Sequence, residues 1–555
     1  ESLKKYSPVS LDIQEKNGIF LLHSQNGGCA KLIHIPFEKK DEKGWDNAML
    51  FSKEIWSSMN DAIIDTDKSG LRVEVSPERN WGLAYFSNLH LPNDIKAIQV
   101  EVPDISPKGR WVMKLRGYLL GDGRDLTLHL FTSSKPGIER VNIDPRFPLH
   151  WKSPIEIQLG LEGEPGAYAV FKSVEFIKGD IKPKRNSGME AIDLMPDLPR
   201  PYKMLDWRSL ARDYIDFVFD FNKKGEFLPL IWIDDTDKDN PALGLQSYVG
   251  TGQKGSDHEA VTTLSALLTA SLVGIDKSEF IPMAKAYYSE ELGLVLNRKE
   301  MKNSSGDWWY DIWPSILFIM LVDRHPELDA EGKIIKSIAD RWYDVCLRLK
   351  GSDELPDFNH TAYDFDLQKP IDRGWAEPDS SAGIAWLEYI AWLKFEDERY
   401  LQAVDWCLRY LESLSKNPYY EVLLPWGAYI SARANRELGR DYNVEKLLNW
   451  CFGMSDYRWG WGTILGNWGR YDCYGLVGSI VDLGGYAFAM NTFAQAGALA
   501  PIPRYDSRWA YAIGKFLLNL ANSARLFLPS ELQADKQSSY FWVEKVGGKV
   551  PIAYE

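Results

Sequence analysis

Ser315-Ile316-Leu317-Phe318-Ile319-Met320-Leu321-Val322 is apolar all the way round a helix. The segment that follows, 330–350, is not. Its apolar residues Ile334, Ile335, Ile338, Trp342, Val345, Cys346 and Leu349 recur at i, i+3/i+4 and leave one face wet. The same alternation extends in both directions. Segments 257–273, 310–324, 380–396, 421–437 and 475–499 read as helices buried on all sides, and 277–296, 330–350, 398–414, 442–452 and 504–527 as amphipathic ones. A buried helix followed by a half-wet one, repeated, describes inner helices wrapped by outer helices. Connections leaving inner helices are short, as at 274–276, 325–329 and 501–503, whereas those entering them are long, at 222–256, 297–309, 351–379 and 453–474. Long loops in compact domains usually carry function, so one end of the ring is the end to search. Ten such helices make five hairpins and 207–221 adds an eleventh, one short of a closed six-hairpin ring.

Residues 1–181 read differently. Short alternating segments at Gly18–Ser24, Leu71–Val75, Ile95–Val102, Arg110–Leu119, Leu126–Thr132, Ile155–Gly160 and Ala167–Ile177 are separated by turn residues such as Gly121-Asp122-Gly123. That spacing predicts an antiparallel β-sandwich. Residues 182–204, with Pro183, Pro196, Pro199 and Pro201, read as a stiff linker. The chain is therefore expected to be multidomain: a β-sandwich over 1–181, an accessory or carbohydrate-binding-like unit, and a helical domain over 205–555.

Lys plus Arg number 64 and Asp plus Glu 78, a net charge of −14, which argues against nucleic acid as a partner. The longest strictly apolar run, Ile316 to Val322, is too short to insert across a bilayer. The first residue is Glu1 rather than Met; removal of a secretion signal, giving a secreted or periplasmic protein, is one expectation and a trimmed chain another. Five scattered cysteines show neither a disulfide framework nor zinc spacing. Fifteen of the 22 tryptophans lie at or after Trp308. Indole faces match the flat, half-apolar faces of sugars, so carbohydrate is the first substrate class to consider, with a Trp-rich helical core as the plain alternative.

The long loops supply the candidate chemistry. Asp235, Asp237 and Asp239 fall at positions one, three and five of a calcium-loop template, but Asn240 and Gln246 stand where its glycine and glutamate belong. No metal or other cofactor is expected, and calcium at these aspartates is the fallback. Asp257 and His258, before the first inner helix, are candidates to face the substrate. Asp311, one turn into an apolar helix between Trp309 and Trp313, is costly unless used; desolvation would raise its pKa, as a general acid requires. Asp307 reads as a helix cap. In the third loop, Glu377 and Asp379 precede the helix 380–396, where the helix N-terminus favours an ionised base or nucleophile. His360, Tyr363, Arg373 and Trp375 accompany them, and Glu388 is a mid-helix secondary candidate. The fourth loop, with Trp461, Arg470 and Tyr471 among glycines, reads as a binding wall.

With these residues in view, the helical part resembles the six-hairpin (α/α)6-toroid carbohydrate-active enzymes, several of which carry an N-terminal β-sandwich. Trp309-Tyr310-Asp311 is similar to the Trp-x-Asp of the unsaturated glucuronyl and rhamnogalacturonyl hydrolases, which implies Asp311 as proton donor. Arg373-Gly374-Trp375 is loosely similar to an Arg-Gly-x-Gly-Trp segment of the same enzymes, although Glu377-Pro378-Asp379 is inserted here. Gly306-Asp307-Trp308-Trp309 is also similar to the Asn-Trp-Trp segment of toroidal uronate lyases, with Asp in place of Asn. The expectation is a glycoside hydrolase acting on an oligosaccharide or polysaccharide, including one that contains uronic acid, through carboxylate acid–base chemistry. A lyase using His360 and Tyr363 for β-elimination is the alternative, and a non-catalytic glycan-binding protein the third reading.

Overall fold

The computed structural model describes residues 56–67, 69–89, 95–107, 109–119, 125–142, 151–178, 187–199, 202–225, 228–245, 255, 257–458, 460–468, 471–479, 486–528 and 530–531, with the short strands Leu11–Lys16, Ile19–Ser24, Phe37–Glu38 and Asp46–Asn47. The chain divides into two compact units. The first takes residues up to Lys182 and also Leu465–Cys473; the second takes Pro183–Ile464, Tyr474–Ser479 and the chain from Tyr486 onward.

The first unit is built of antiparallel sheets. One has five strands in the order Asp125–Ser133, Arg110–Leu119, Trp151–Glu162, Trp81–Leu89 and Ser57–Met59. Its register pairs Trp111 with Leu161, Met113 with Leu159 and Leu115 with Ile157, and all six are buried. Strict alternation thus puts every second side chain on one face. A four-stranded sheet runs Asp104–Ile105, Tyr168–Phe171, Gly70–Glu74 and Ile63–Asp67. Trp111 of the first sheet meets Phe171 of the second edge-on at 6.1 Å, so the two inner faces share one core. The segment predicted as one strand over Ala167–Ile177 is two, Tyr168–Phe171 and Ser173–Lys178, because Lys172 turns its N–H to the Glu101 carbonyl. Trp81–Leu89, in which Gly82 and Asn88 interrupt the pattern, lies between strands that the alternation does identify.

In the second unit the α-helices are α1 Glu190–Leu194, α2 Trp207–Val218, α3 Ala260–Val273, α4 Trp308–Arg324, α5 Lys333–Lys350, α6 Ser380–Phe395, α7 Glu398–Ser413, α8 Leu424–Leu438, α9 Val444–Cys451, α10 Ala489–Leu499 and α11 Ala510–Ser523. Each of α3, α4, α6 and α8 packs against the next, and α8 against α10, whereas α5 and α7 pack on the outside of α6 and α9 on α8. Helix α2 rests on α3, and its Trp207 ring stands 5.8 Å from Phe493 of α10. The run of inner helices is thereby brought back towards its own start.

Three expectations need correction. Segment 277–296 is not an α-helix: Pro282 starts a 3-10 stretch over Ile281–Tyr287, and Gly293 turns the strand pair Tyr288–Ser289 and Leu294–Val295. Among the described residues of 475–499, only Ala489–Leu499 is helical. Val477–Ser479, among glycines, instead pairs antiparallel with Trp461–Thr463. Finally, 187–204 is no free linker. Met189, Ile192 and Met195 are buried, Asn519 of α11 donates to the Pro196 carbonyl at 2.9 Å, and Asn522 accepts from the Lys203 N–H at 2.9 Å.

Candidate active site

Three neighbouring inner helices, α4, α6 and α8, each begin beside acidic residues. Asp307 and Asp379 occupy the N-cap positions of α4 and α6, yet neither side chain makes a capping hydrogen bond. A carboxylate at the cap position that does not cap its own helix leaves the ordinary explanation for that residue type unfilled. Glu377 lies two residues before Asp379, and Glu421 three before the start of α8. Glu377 and Asp379 are each 1% exposed, and Glu421 is buried too.

The environment of each carboxylate differs. Glu377 accepts from the exposed Trp375 indole at 3.1 Å and from the Trp309 N–H at 3.3 Å. Burial, followed by the charges of Asp307 and Asp379, still pushes its pKa well above the ordinary glutamate value. Asp379 accepts from the Tyr420 N–H at 3.1 Å and is pushed up strongly by burial. Asp307 is only half-buried. Burial raises it, while the guanidinium groups of Arg373 and Arg458 oppose the rise. Glu421 is raised by burial, against hydrogen bonds from Asn491 (2.8 Å) and the Tyr420 hydroxyl and the charge of Arg458. An ionised carboxylate opposes the ionisation of its neighbour, and carboxyl groups held in such different surroundings are what acid–base chemistry requires.

Aromatic and cationic side chains surround the cluster. Trp375 is 47% exposed beside Glu377 and offers an open indole face. Arg373 is exposed and lies tight over Gly306, where a Cβ would stand 2.2 Å from its Nη1; Gly306 also has φ 99°. Arg458 stacks over Tyr420 at 4.6 Å and bonds its hydroxyl.

Several sequence candidates occupy other surroundings. Asp311 is buried and wholly engaged: both oxygens accept from the Ser304 and Ser305 hydroxyls, and Oδ1 also from the Ser305 N–H at 2.8 Å. Burial raises it to about 6, with those serine bonds opposing. It ties the loop before α4 to the helix. His258 is buried with both ring nitrogens bonded, Nε2 to Asp234 at 2.9 Å and Nδ1 to the Tyr287 hydroxyl at 2.6 Å. Its neighbour Asp257 is exposed. His360 pairs through Nδ1 with Asp372 at 2.8 Å. Tyr363 is buried, stacked on Trp308 and edge-on to Phe365. Trp309, also buried, stacks on Tyr310 at 3.7 Å. Trp461 is fully buried beneath Tyr420 and Arg458. Tyr471 pairs with Trp468 in a hairpin of the first unit, and Arg470 and Asp482 lie outside the described residues. Asp235, Asp237 and Asp239 are exposed on the turn between Ile231–Asp234 and Ala242–Leu245. Among the described residues no group of three or more His, Cys, Asp or Glu is arranged to hold a metal ion.

Tyr420, Glu421 and Arg458 are the members that sequence reasoning did not single out. The usable signal was positional, since Glu421 precedes α8 much as Asp307 and Glu377 precede α4 and α6.

No protein-family model matches the chain, and neither does any curated protein. Solved structures similar to it include a "Xylan-Binding Domain from CBM 22", at 14% identity over 26% of this chain and 100% of that one, with a TM-score of 0.20. The cellobiose 2-epimerase of Bacillus thermoamylovorans B4167 matches at 16% identity over 28% of this chain and 42% of that one, with a TM-score of 0.22. PfGH50B matches at 10% identity over 34% of each chain, with a TM-score of 0.20. Likeness at these scores establishes neither fold nor activity.

Proposed function

We propose that this protein is a carbohydrate-active enzyme, a glycoside hydrolase acting on an oligosaccharide or polysaccharide, including one that contains uronic acid. One observation carries the reading: buried carboxylates gather beside the starts of neighbouring inner helices, none of them capping its own helix, with an exposed indole at their edge. In this proposal the second unit is an (α/α)6 toroid and the first an accessory glycan-binding unit. A sugar stacks on Trp375. Glu377, kept protonated by burial and by its acidic neighbours, gives its proton to the glycosidic oxygen as the C–O bond breaks, and an ionised carboxylate of the same cluster supports the attack of water. Arg373 is the cation available to a substrate carboxylate. A polymer substrate suits a secreted or periplasmic location.

Asp311, implied as proton donor by the resemblance, is the less suitable acid: three donors, two of them serine hydroxyls, hold its oxygens at close range, whereas each Glu377 oxygen has a single longer bond, at 3.1 and 3.3 Å. The elimination reading needs His360 and Tyr363. Enclosure of Tyr363 among aromatic rings and the engagement of His360 by Asp372 favour hydrolysis over it.

The test is incubation with neutral and uronate-containing glycans, following reducing ends and ultraviolet absorbance together. Hydrolysis releases reducing ends without new absorbance, and Glu377→Gln should lower turnover about 10²–10⁴-fold. A product absorbing through a conjugated C4–C5 double bond would overturn the reading.

A further inference from the structure

Among the described residues, Glu421 is one of only five non-glycine positions with positive φ, at 48°. Left-handed backbone is disfavoured for a side-chain-bearing residue, and glutamate has no local hydrogen-bonding habit that offsets it. The chain keeps it nonetheless, buried, where an unused carboxylate would cost more still. Its surroundings are organised around the carboxyl group. Asn491 of α10 is fully buried and donates to Oε2 at 2.8 Å, and the Tyr420 hydroxyl also bonds it. The same Tyr420 receives Arg458 on its hydroxyl and gives its backbone N–H to Asp379. One further buried polar atom at this place, Oδ1 of Asn491, lacks a protein partner. An orphan polar atom beside a strained acid marks a place built for something that arrives with hydrogen-bonding groups of its own.

We infer that Glu421 is the second catalytic carboxylate, the general base that takes a proton from the attacking water. The inference rests on the hydrolase reading and deepens it. The Glu377 proton goes to the leaving oxygen as the anomeric C–O bond breaks, the water oxygen bonds the anomeric carbon, and Glu421 accepts the water proton. The two carboxyl groups then return to their starting states through solvent, so one water is consumed per bond cleaved. Asn491 and Tyr420 act as positioning residues, orienting the Glu421 carboxylate and keeping it available as an acceptor.

Glycine separates catalysis from structure here, because it accepts φ 48° without strain. Once a hydrolysed glycan is identified from the panel above, Glu421→Gly is expected to melt at or above the wild-type temperature while kcat falls about 10²–10⁴-fold. Added formate, entering the vacated space, should restore part of the rate in Glu421→Gly and none in Glu377→Gln. Asn491→Ala should move the acidic limb of the kcat/KM pH profile upward, a change that a merely structural contact would not produce. A folded Glu421→Gly that retains wild-type turnover, with Glu377→Gln inactive, overturns this inference and leaves the hydrolase reading standing. Loss of activity together with a lowered melting temperature and no formate rescue also overturns it, since Glu421 would then be structural. Full activity in both variants sinks the hydrolase reading itself.

Discussion

Both carboxyl oxygens of Glu388 are buried at the middle of α6 and lack a hydrogen-bond partner. Around it lie Cys346 and Asp340 of α5 and Arg399 of α7, with Cys407 of α7 3.8 Å from Cys346 between the sulfur atoms. Burial, with the charge of the neighbouring Asp340, raises its pKa well above 4.5. The sign follows: a buried acid with a raised folded pKa costs nothing below the unfolded value, and the cost grows as pH climbs from there towards the folded value. Each pH unit in that window weakens folding by about 1.4 kcal/mol. Glu388→Gln, which cannot ionise, should therefore match wild type in melting temperature at pH 4 and exceed it at pH 8, as followed by calorimetry across that range. A constant difference at all pH values would rule the ionisation account out. Glu388 also illustrates what a sequence conceals. A carboxylate in an apolar helix is visible as an oddity, but the helix face it occupies is not, and here it lies towards the outer helices rather than among the acids at the helix starts.

Helices α4, α6 and α8 approach one another through glycine. A Cβ on Gly383 of α6 would stand 2.7 Å from Cγ2 of Ile312 and 2.9 Å from Cδ2 of Leu423, and one on Gly427 of α8 would stand 2.7 Å from Cβ of Ala382. Gly383→Ala should therefore lower stability by about 1–3 kcal/mol through overpacking. Because the start of α6 would shift with it, kcat should fall even where the protein remains folded. Calorimetry paired with kinetics checks both effects, and unchanged values in each would contradict the packing account. These helices were legible as elements: 310–324, 380–396 and 421–437 anticipated α4, α6 and α8 to within three residues at each end, because an all-apolar helix has no competing reading. Failures came where two signals conflicted. At 277–296 the apolar spacing suits a helix, but Pro282 and Gly293 prevail. The carboxylate cluster was legible as a location, since two of the long loops lead to Asp307 and to Glu377 and Asp379. Its membership was less so, because the serine bonds that occupy Asp311 and the turn that presents Glu421 depend on backbone geometry that no residue type announces.

At the scale of the whole chain, the two units are not two consecutive stretches of sequence. The helical unit runs to Ile464, the chain then gives Leu465–Cys473 to the first unit, and it is back in the helical unit at Tyr474. The strand pair Asn467–Trp468 and Tyr471–Asp472 lies inside that loan. A fragment beginning at Pro183 should carry this hairpin without the unit it belongs to, and should melt at a lower temperature or aggregate more readily than the full chain. Equal melting temperatures would show that the loan is energetically idle. The arrangement also sets an order of events during synthesis. The β unit leaves the ribosome first, yet its final segment is almost three hundred residues behind it, so the unit that is begun first cannot be the first to be finished.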